Sequence, residues 1–499
     1  MECEKRNFQV YRQGRTALDQ FYMDEDYNVP DAKSDVKRVI LSEGNVHIED
    51  MSLAENYVRV QGNLKFRILY AADEEIQGLA SMEGSLPFEE MVYMEEPPME
   101  NLFLKSAQAD LAVSAVHSRK LNIHAVVELQ ISSEGREEME LTADAKGEET
   151  LYKKYRTEQI LKLFAVRKDT CRIREEAQIG GMQESIGSLL WTDLGSRKLD
   201  TRVGMDELLL QGELLLFCFY ESPEGKTDWI EQTLPYEGRM ECQGAQDSMY
   251  HQIYPELKDV HIEARMDENG EMRLLGVEAV IEARIVLYEE EEMNLLEDLY
   301  SLKQVCAPRR RSVVPEQLLM QNHSKCKVTE RLSLPEIQDD ILQICHSGGR
   351  IQLENVSPQE EGLSIEGVLH VSFLYVKADD ALPFDVWQGM VPFSYLLESN
   401  ATSPDMESDL TCGVEQLAVG LLGNGEVEVK AVLAFNSFLR KPVPIENIEE
   451  VETRPEDLRE IENRPGIIGY VIREGDELWD LAKRYHTTVE GIQQINGIE

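Results

Sequence analysis

The chain reads as mainly β: three tandem antiparallel β-rich repeat domains, an acidic linker, and a small C-terminal α+β module. Three observations lead there. Apolar and polar residues alternate over long stretches in three copies, each copy carries a glycine in the same phase, and helical spacing appears at the C-terminal end.

The first main strand places Val58, Val60, Gly62, Leu64, Phe66, Ile68 and Tyr70 on one face. The same frame returns as Leu208, Leu210, Gly212, Leu214, Leu216, Cys218 and Tyr220, and again as Leu363, Ile365, Gly367, Leu369, Val371, Phe373 and Tyr375. Period two over this length means a strand with one buried face, and a glycine in phase predicts a bulge or a close backbone approach there. Leu86-Pro87, Leu234-Pro235 and Val391-Pro392 end 25, 23 and 25 residues after their glycines, each followed by an aromatic: Phe88, Tyr236, Phe393. A later strand alternates through Leu121–Leu129, Leu275–Ala283 and Val427–Phe435. Asn269-Gly270 and Asn424-Gly425 precede two of these, predicting hairpins whose upstream strands cover 260–265 and 416–421. Cys171 and Cys326 each lie 41 residues before their glycine, so the units begin upstream of the main strand. The short piece in between (Val36, Val39, Ile40; Ile186, Leu189, Leu190; Ile337, Ile341, Ile344) reads as helical. These units are β domains over residues 15–165, 166–305 and 320–440, of ordinary domain size.

Residues 441–466 hold Pro442, Pro444, Pro455 and Pro465 with eight carboxylates and little apolar content, the composition of an extended acidic linker. A capping helix around Pro455–Glu462 is the alternative. Arg309, Arg310 and Arg311 read as a solvated basic loop. The formal net charge of −44 and pI near 4.6 disfavour nucleic acid, anionic membranes and anionic wall polymers, and favour a basic partner. Met1-Glu-Cys-Glu-Lys lacks an apolar leader, and the longest apolar run, Leu214–Tyr220, is far too short to span a bilayer, so the reading is of a cytosolic protein without a transmembrane segment. The eight cysteines form no C-x-x-C pair and are expected as reduced thiols.

Hydrolase, zinc-protease, P-loop and dinucleotide motifs are all absent, so no catalytic residue, cofactor or metal is assigned and the chain reads as non-enzymatic. His124 and His370 fall on the polar phase of their strands, which places them at the surface.

Residues 467–499 change period. Tyr470 and Ile472 alternate as a short strand, Gly475 supplies a turn, and Asp476 stands where it would cap a helix carrying Leu478, Trp479, Leu481, Ala482 and Tyr485. Thr487 and Glu490 have capping-box spacing for a second helix with Val489, Ile492 and Ile495. This order of turn, Leu-Trp and terminal Asn resembles a LysM module, although the second strand expected of that family is missing before Glu499. The resemblance implies a binding groove formed by Gly475, Asp476, Glu477 and Leu478 on one side and Ile495 and Asn496 on the other, over a core of Trp479 and Tyr485. Three β-rich repeats, an acidic linker and a LysM together resemble the SipL-type spore coat morphogenetic proteins of endospore-forming clostridia, whose repeats are SPOCS domains. That resemblance implies a scaffold in the mother-cell cytosol, tethering the coat to the forespore surface by LysM binding to the coat's basement-layer ATPase. The alternative is a peptidoglycan-binding protein that recognises N-acetylglucosamine polymers.

Overall fold

The computed structural model describes residues 1–72, 78–338, 340–379, 382–399, 405–457 and 464–498. It is mainly β, and the same unit occurs three times. In the first, β3 (Val36–Ala54), β4 (Tyr57–Ala72) and β5 (Leu79–Tyr93) form an antiparallel sheet centred on β4. It packs on a second sheet in which β7 (Lys120–Lys146) lies between β2 (Ala17–Asn28) and β6 (Asn101–His117). Val58, Val60 and Leu64 from one sheet meet Ala125, Val127 and Leu129 from the other, the two alternating series visible in the sequence. The second unit repeats this with β9 (Ser188–Val203), β10 (Glu207–Glu221) and β11 (Thr227–Glu241) over β8 (Tyr152–Gln178), β13 (Met272–Tyr300) and β12 (Tyr250–Met266). The third uses β16 (Ile341–Gln359), β17 (Gly362–Lys377) and β18 (Phe384–Glu398) over β15 (Glu316–Ser333), β20 (Glu426–Pro442) and β19 (Glu407–Gly423).

The in-phase glycine has a physical cause in every copy. Gly62, Gly212 and Gly367 pair directly across from Phe88, Tyr236 and Phe393, the aromatics that follow the prolines. Each aromatic ring lies in the space a Cβ would occupy, at 2.8, 2.6 and 3.0 Å from its ideal position. On the other flank the neighbouring strand bulges at this same point, between Ile48 and Asp50, opposite Gln211–Glu213, and between Leu353 and Asn355.

The segment expected to be helical ahead of the main strand is instead strand: β3, β9 and β16 pair along nearly the full length of β4, β10 and β17. A single 3-10 turn, Pro335–Ile337, is the one helical trace of it among the described residues. The adjacent apolar residues that suggested a helix arise because both faces of these strands are covered: Val39 and Leu189 pack toward their own sandwiches, while Ile40 and Leu190 pack into a cluster shared between units.

Each unit also sends two strands beyond its sandwich as a ribbon. In the first, β1 (Glu2–Gln13) pairs with the far half of β7; in the second, the near half of β8 pairs with the far half of β13. In the third, β14 (Gln304–Val313) pairs with β21 (Ile445–Pro455). The three ribbons share one core of Phe8, Val10, Met139 and Leu141 from the first, Ile160, Met293 and Leu295 from the second, and Ile445 from the third. Residues 445–455, expected as extended linker, are therefore a hub strand. Their buried apolar residues are Ile445, which faces the shared core, and Ile448 and Val451, which join a neighbouring cluster; the first two lie on opposite faces and the ladder slips before the third, so neither strand nor helix periodicity was apparent among the carboxylates. Arg309–Arg311 likewise lie on strand β14, where Arg309 faces Glu449 at 3.5 Å and Arg310 reaches Asp298 at 3.1 Å. The alternative helix at Pro455–Glu462 falls largely outside the described residues.

The units meet head to tail and close into a ring. Arg67 of the first lies 4.6 Å over Trp191 of the second and donates to the Thr192 carbonyl at 2.6 Å. Phe217 of the second stacks on His346 of the third at 4.0 Å, and Arg38 of the first pairs with Asp385 of the third at 2.7 Å. Ile40, Leu190 and Cys345, equivalent in the three copies, join Leu69, Phe219 and Leu374 in a shared apolar cluster. Where ribbons leave sandwiches, a buried ionic cluster draws on all three units. Arg284 pairs with Glu134 and lies 4.0 Å from the Phe103 ring, while Arg440 meets Glu316 at 3.4 Å and Asp409 at 3.5 Å. Burial would depress the pKa of Arg440, but Tyr288, Glu316 and Asp409 outweigh it and keep the guanidinium charged.

Two outcomes are expected. Added methyls at Gly62 and Gly367 meet backbone carbonyls of His47 and Gln352 at 2.5 and 2.4 Å, whereas at Gly212 they meet the end of the Tyr236 side chain. Gly62→Ala and Gly367→Ala should each cost about 2–3 kcal/mol and Gly212→Ala less, read by denaturant unfolding. His346 lies 3.1 Å from Asp193 and 3.3 Å from Glu231. Burial lowers its pKa, but those two carboxylates raise it more, to a net value above the ordinary one. A raised histidine pKa gives stability that is complete below about pH 6.5 and lost as pH climbs through the folded value. His346→Gln should thus cost about 1.5 kcal/mol at pH 6 and clearly less at pH 8.5, measured by thermal unfolding.

Candidate functional site

The C-terminal module is two short helices behind a turn. Helix α1 spans Leu478–Arg484 and α2 spans Val489–Asn496. Tyr470–Arg473, expected as a strand, forms no ladder, since no other segment among the described residues pairs with it. Gly475 takes φ +91°, the left-handed turn that favours glycine. Asp476 does not cap α1. Its Oδ2 accepts from the Arg473 backbone N–H at 2.7 Å and from the Tyr470 hydroxyl at 2.9 Å, closing the turn, and these bonds hold its carboxyl below the usual range. Glu477 occupies the N-cap position of α1 without a side-chain bond. The cap of α2 is Thr488, whose Oγ1 accepts from Gly491 N–H at 2.9 Å, one residue later than the spacing of Thr487 and Glu490 suggested. Gly497 ends α2 with φ 64°.

The proposed groove residues are open to solvent for the most part. Gly475, Asp476, Glu477 and Asn496 are exposed, Ile495 is 84% exposed, and Leu478 is half-buried. Among the described residues no hydrogen bond joins the first turn to the end of α2; the Asn496 side chain donates to the Ile492 carbonyl at 2.8 Å. Of the two residues expected as core, Tyr485 meets Tyr470 at 6.0 Å, while Trp479 packs outside the module, edge-on to Tyr300 of the second unit at 4.9 Å. The contacts to the hub, through Asp298, Tyr300 and Lys154, had no signal in the sequence, because nothing in a local pattern says which distant strand a helix will meet.

Elsewhere, a cavity of about 810 Å³ opens between the first and second units, with Tyr11, Phe103, Tyr254 and Arg284 on its wall. It contains no nucleophile paired with a base. No cluster of three His, Cys, Asp or Glu side chains suited to a metal occurs among the described residues, nor any helix long and apolar enough to cross a membrane. His124 is exposed, and His370 is half-buried with its ring 2.7 Å from Gln352 Oε1.

A closed ring of three homologous β sandwiches bearing a small helical module defines a repeat-built, multi-domain protein. The SipL, SPOCS domain family matches residues 35–116, 185–265 and 340–422, and the LysM domain family matches residues 470–499. The chain belongs to the SipL-like proteins, built from SPOCS repeats and a C-terminal LysM. Each SPOCS match begins at or just before the first strand of the outer sheet and ends near the hairpin turn before β7, β13 or β20, so the hub lies outside the matched spans. No curated protein and no solved structure matches the chain.

Thr488→Ala should destabilise the module by about 1 kcal/mol, whereas Thr487→Ala should leave the α2 cap intact. Amide exchange at Gly491 and Ile492 distinguishes the two.

Proposed function

We propose that this protein is a non-enzymatic adaptor of spore envelope assembly, working in the mother-cell cytosol and tethering the coat to the forespore surface through protein binding by its LysM. The observation that carries the reading is the presentation of the module: the turn Gly475–Glu477 and residues Ile495 and Asn496 stand in solvent at the edge of a large closed body. That body has the mechanical character of a scaffold. The net charge of −44 supports a partner with a basic face over an anionic wall polymer. A coat basement-layer ATPase is the partner this reading assigns to the groove. The LysM match also supports a second reading, binding of peptidoglycan or N-acetylglucosamine polymers.

The two readings part in one experiment. Purified full-length protein is titrated with the ATPase in the presence and absence of an N-acetylglucosamine hexamer, alongside Leu478→Arg and a deletion of 467–499. The adaptor reading expects the deletion and Leu478→Arg each to weaken binding at least about tenfold, and the hexamer to leave it unchanged. Saturable hexamer binding that displaces the ATPase, or occurs with no ATPase affinity at all, would establish the glycan reading instead.

A further inference from the structure

Trp479 is the largest side chain of the LysM, and it faces the hub. Its indole N–H donates to Asp298 Oδ2 at 2.9 Å, and its ring meets Tyr300 edge-on at 70°. One turn further along α1, Lys483 Nζ lies 2.7 Å from each oxygen of the same Asp298. The Tyr300 hydroxyl donates to the Thr487 carbonyl at 2.9 Å, between the helices, and Glu477 pairs with Lys154 at 2.6 Å. The Asp298 side chain is only 13% exposed, so its charge is neutralised by groups that the module brings to it and by Arg310 at 3.1 Å.

The module itself has little to hold it. Leu481 and Ala482 are its buried hydrophobics among the described residues, and α2 buries none. Ile467, Val471 and Ile495 are 94%, 86% and 84% exposed. Two buried side chains make a small core for a pair of helices to stand on by themselves. The second ribbon is also unlike the other two at its tip. It ends in the stacked pair Tyr152 and Tyr300, with ring centroids 5.1 Å apart, where the first ends in Glu2 opposite Lys146 and the third in Gln304 opposite Pro455.

We propose that the tip of the second ribbon is the platform on which the LysM folds, with Asp298 as the latch and Tyr300 as the apolar seat for Trp479. The module takes from the hub packing surface that its two helices do not supply to each other. It is therefore held in one orientation, with the groove turn outward and Lys154 beside it, whichever ligand the groove accepts.

Hydrogen exchange read by mass spectrometry on the full-length protein tests this. Asp298→Asn and Lys483→Ala should each speed exchange of the amides in 478–496 by at least about tenfold, and Asp298→Asn combined with Tyr300→Ala should bring them to the rate of an unfolded chain. Peptides from Phe8–Gln13 and Leu214–Tyr220 should keep wild-type protection. Should Asp298→Asn disturb those hub peptides, Lys483→Ala and Trp479→Phe, which alter the module side alone, decide the matter. Wild-type protection of the helices in both of these would overturn the proposal and show a self-supporting module.

Discussion

The core shared by the three ribbons is the constraint on which the structure depends. Each ribbon is two strands wide, and an isolated pair of strands is marginal in water. Phe8, Met139, Ile160, Met293 and Ile445 become buried only when strands from near residue 5, near residue 160 and near residue 450 come together. Because β7 and β13 run without interruption from sandwich into hub, that meeting also fixes where the sandwiches stand. The head-to-tail contacts between outer sheets then have no freedom left to choose another partner. A heterologous contact of this kind makes a ring if the rotation closes, and here it closes after three copies within one polypeptide.

The ionic cluster at the base of the ribbons adds selectivity to this arrangement. Glu134 of the first unit pairs with Arg284 of the second, and Glu316 of the third pairs with Arg440 of its own unit and with Arg12 of the first; Glu134, Glu316 and Arg440 are buried and Arg284 nearly so. Burial raises the pKa of Glu316 against the pull of Arg440 and Arg12, a sign of how little water reaches it. Removing one member of such a pair strands a charge at a cost of about 3–5 kcal/mol, while a wrong juxtaposition of units strands several. Apolar surface alone would tolerate slippage between sandwiches; this cluster does not.

Much of this was legible in the sequence, and the parts that were not have identifiable physical causes. The strands around Gly62, Gly212 and Gly367 could be read because one face of each is buried throughout, so period two is unbroken. The pairing of glycine with Phe88, Tyr236 and Phe393 was visible as a constant spacing, though not as the ring filling the missing side chain. A register slip and burial on both faces erased the signal elsewhere. The slip opposite Arg309 helped a strand pass for an acidic linker, and strand starts covered on both faces imitated a helix. In the LysM the helices and Gly475 followed from local pattern, whereas the orientation of Trp479 depended on Tyr300, far away in the chain, and no periodicity encodes that.

Closure within one chain also releases the three copies from identity. Three identical subunits in a ring must show the same surface three times, and a change that helps one face alters all. Here Tyr57 and Tyr93 form an exposed aromatic pair on the outer sheet of the first unit, where the second has Glu207 opposite Glu241 and the third has Gly362 opposite Glu398. The buried frame beneath these positions is the same, Val58, Leu208 and Leu363. The fold thus separates what must stay alike from what is free to differ, and gives a single gene product three independently evolvable faces around one axis.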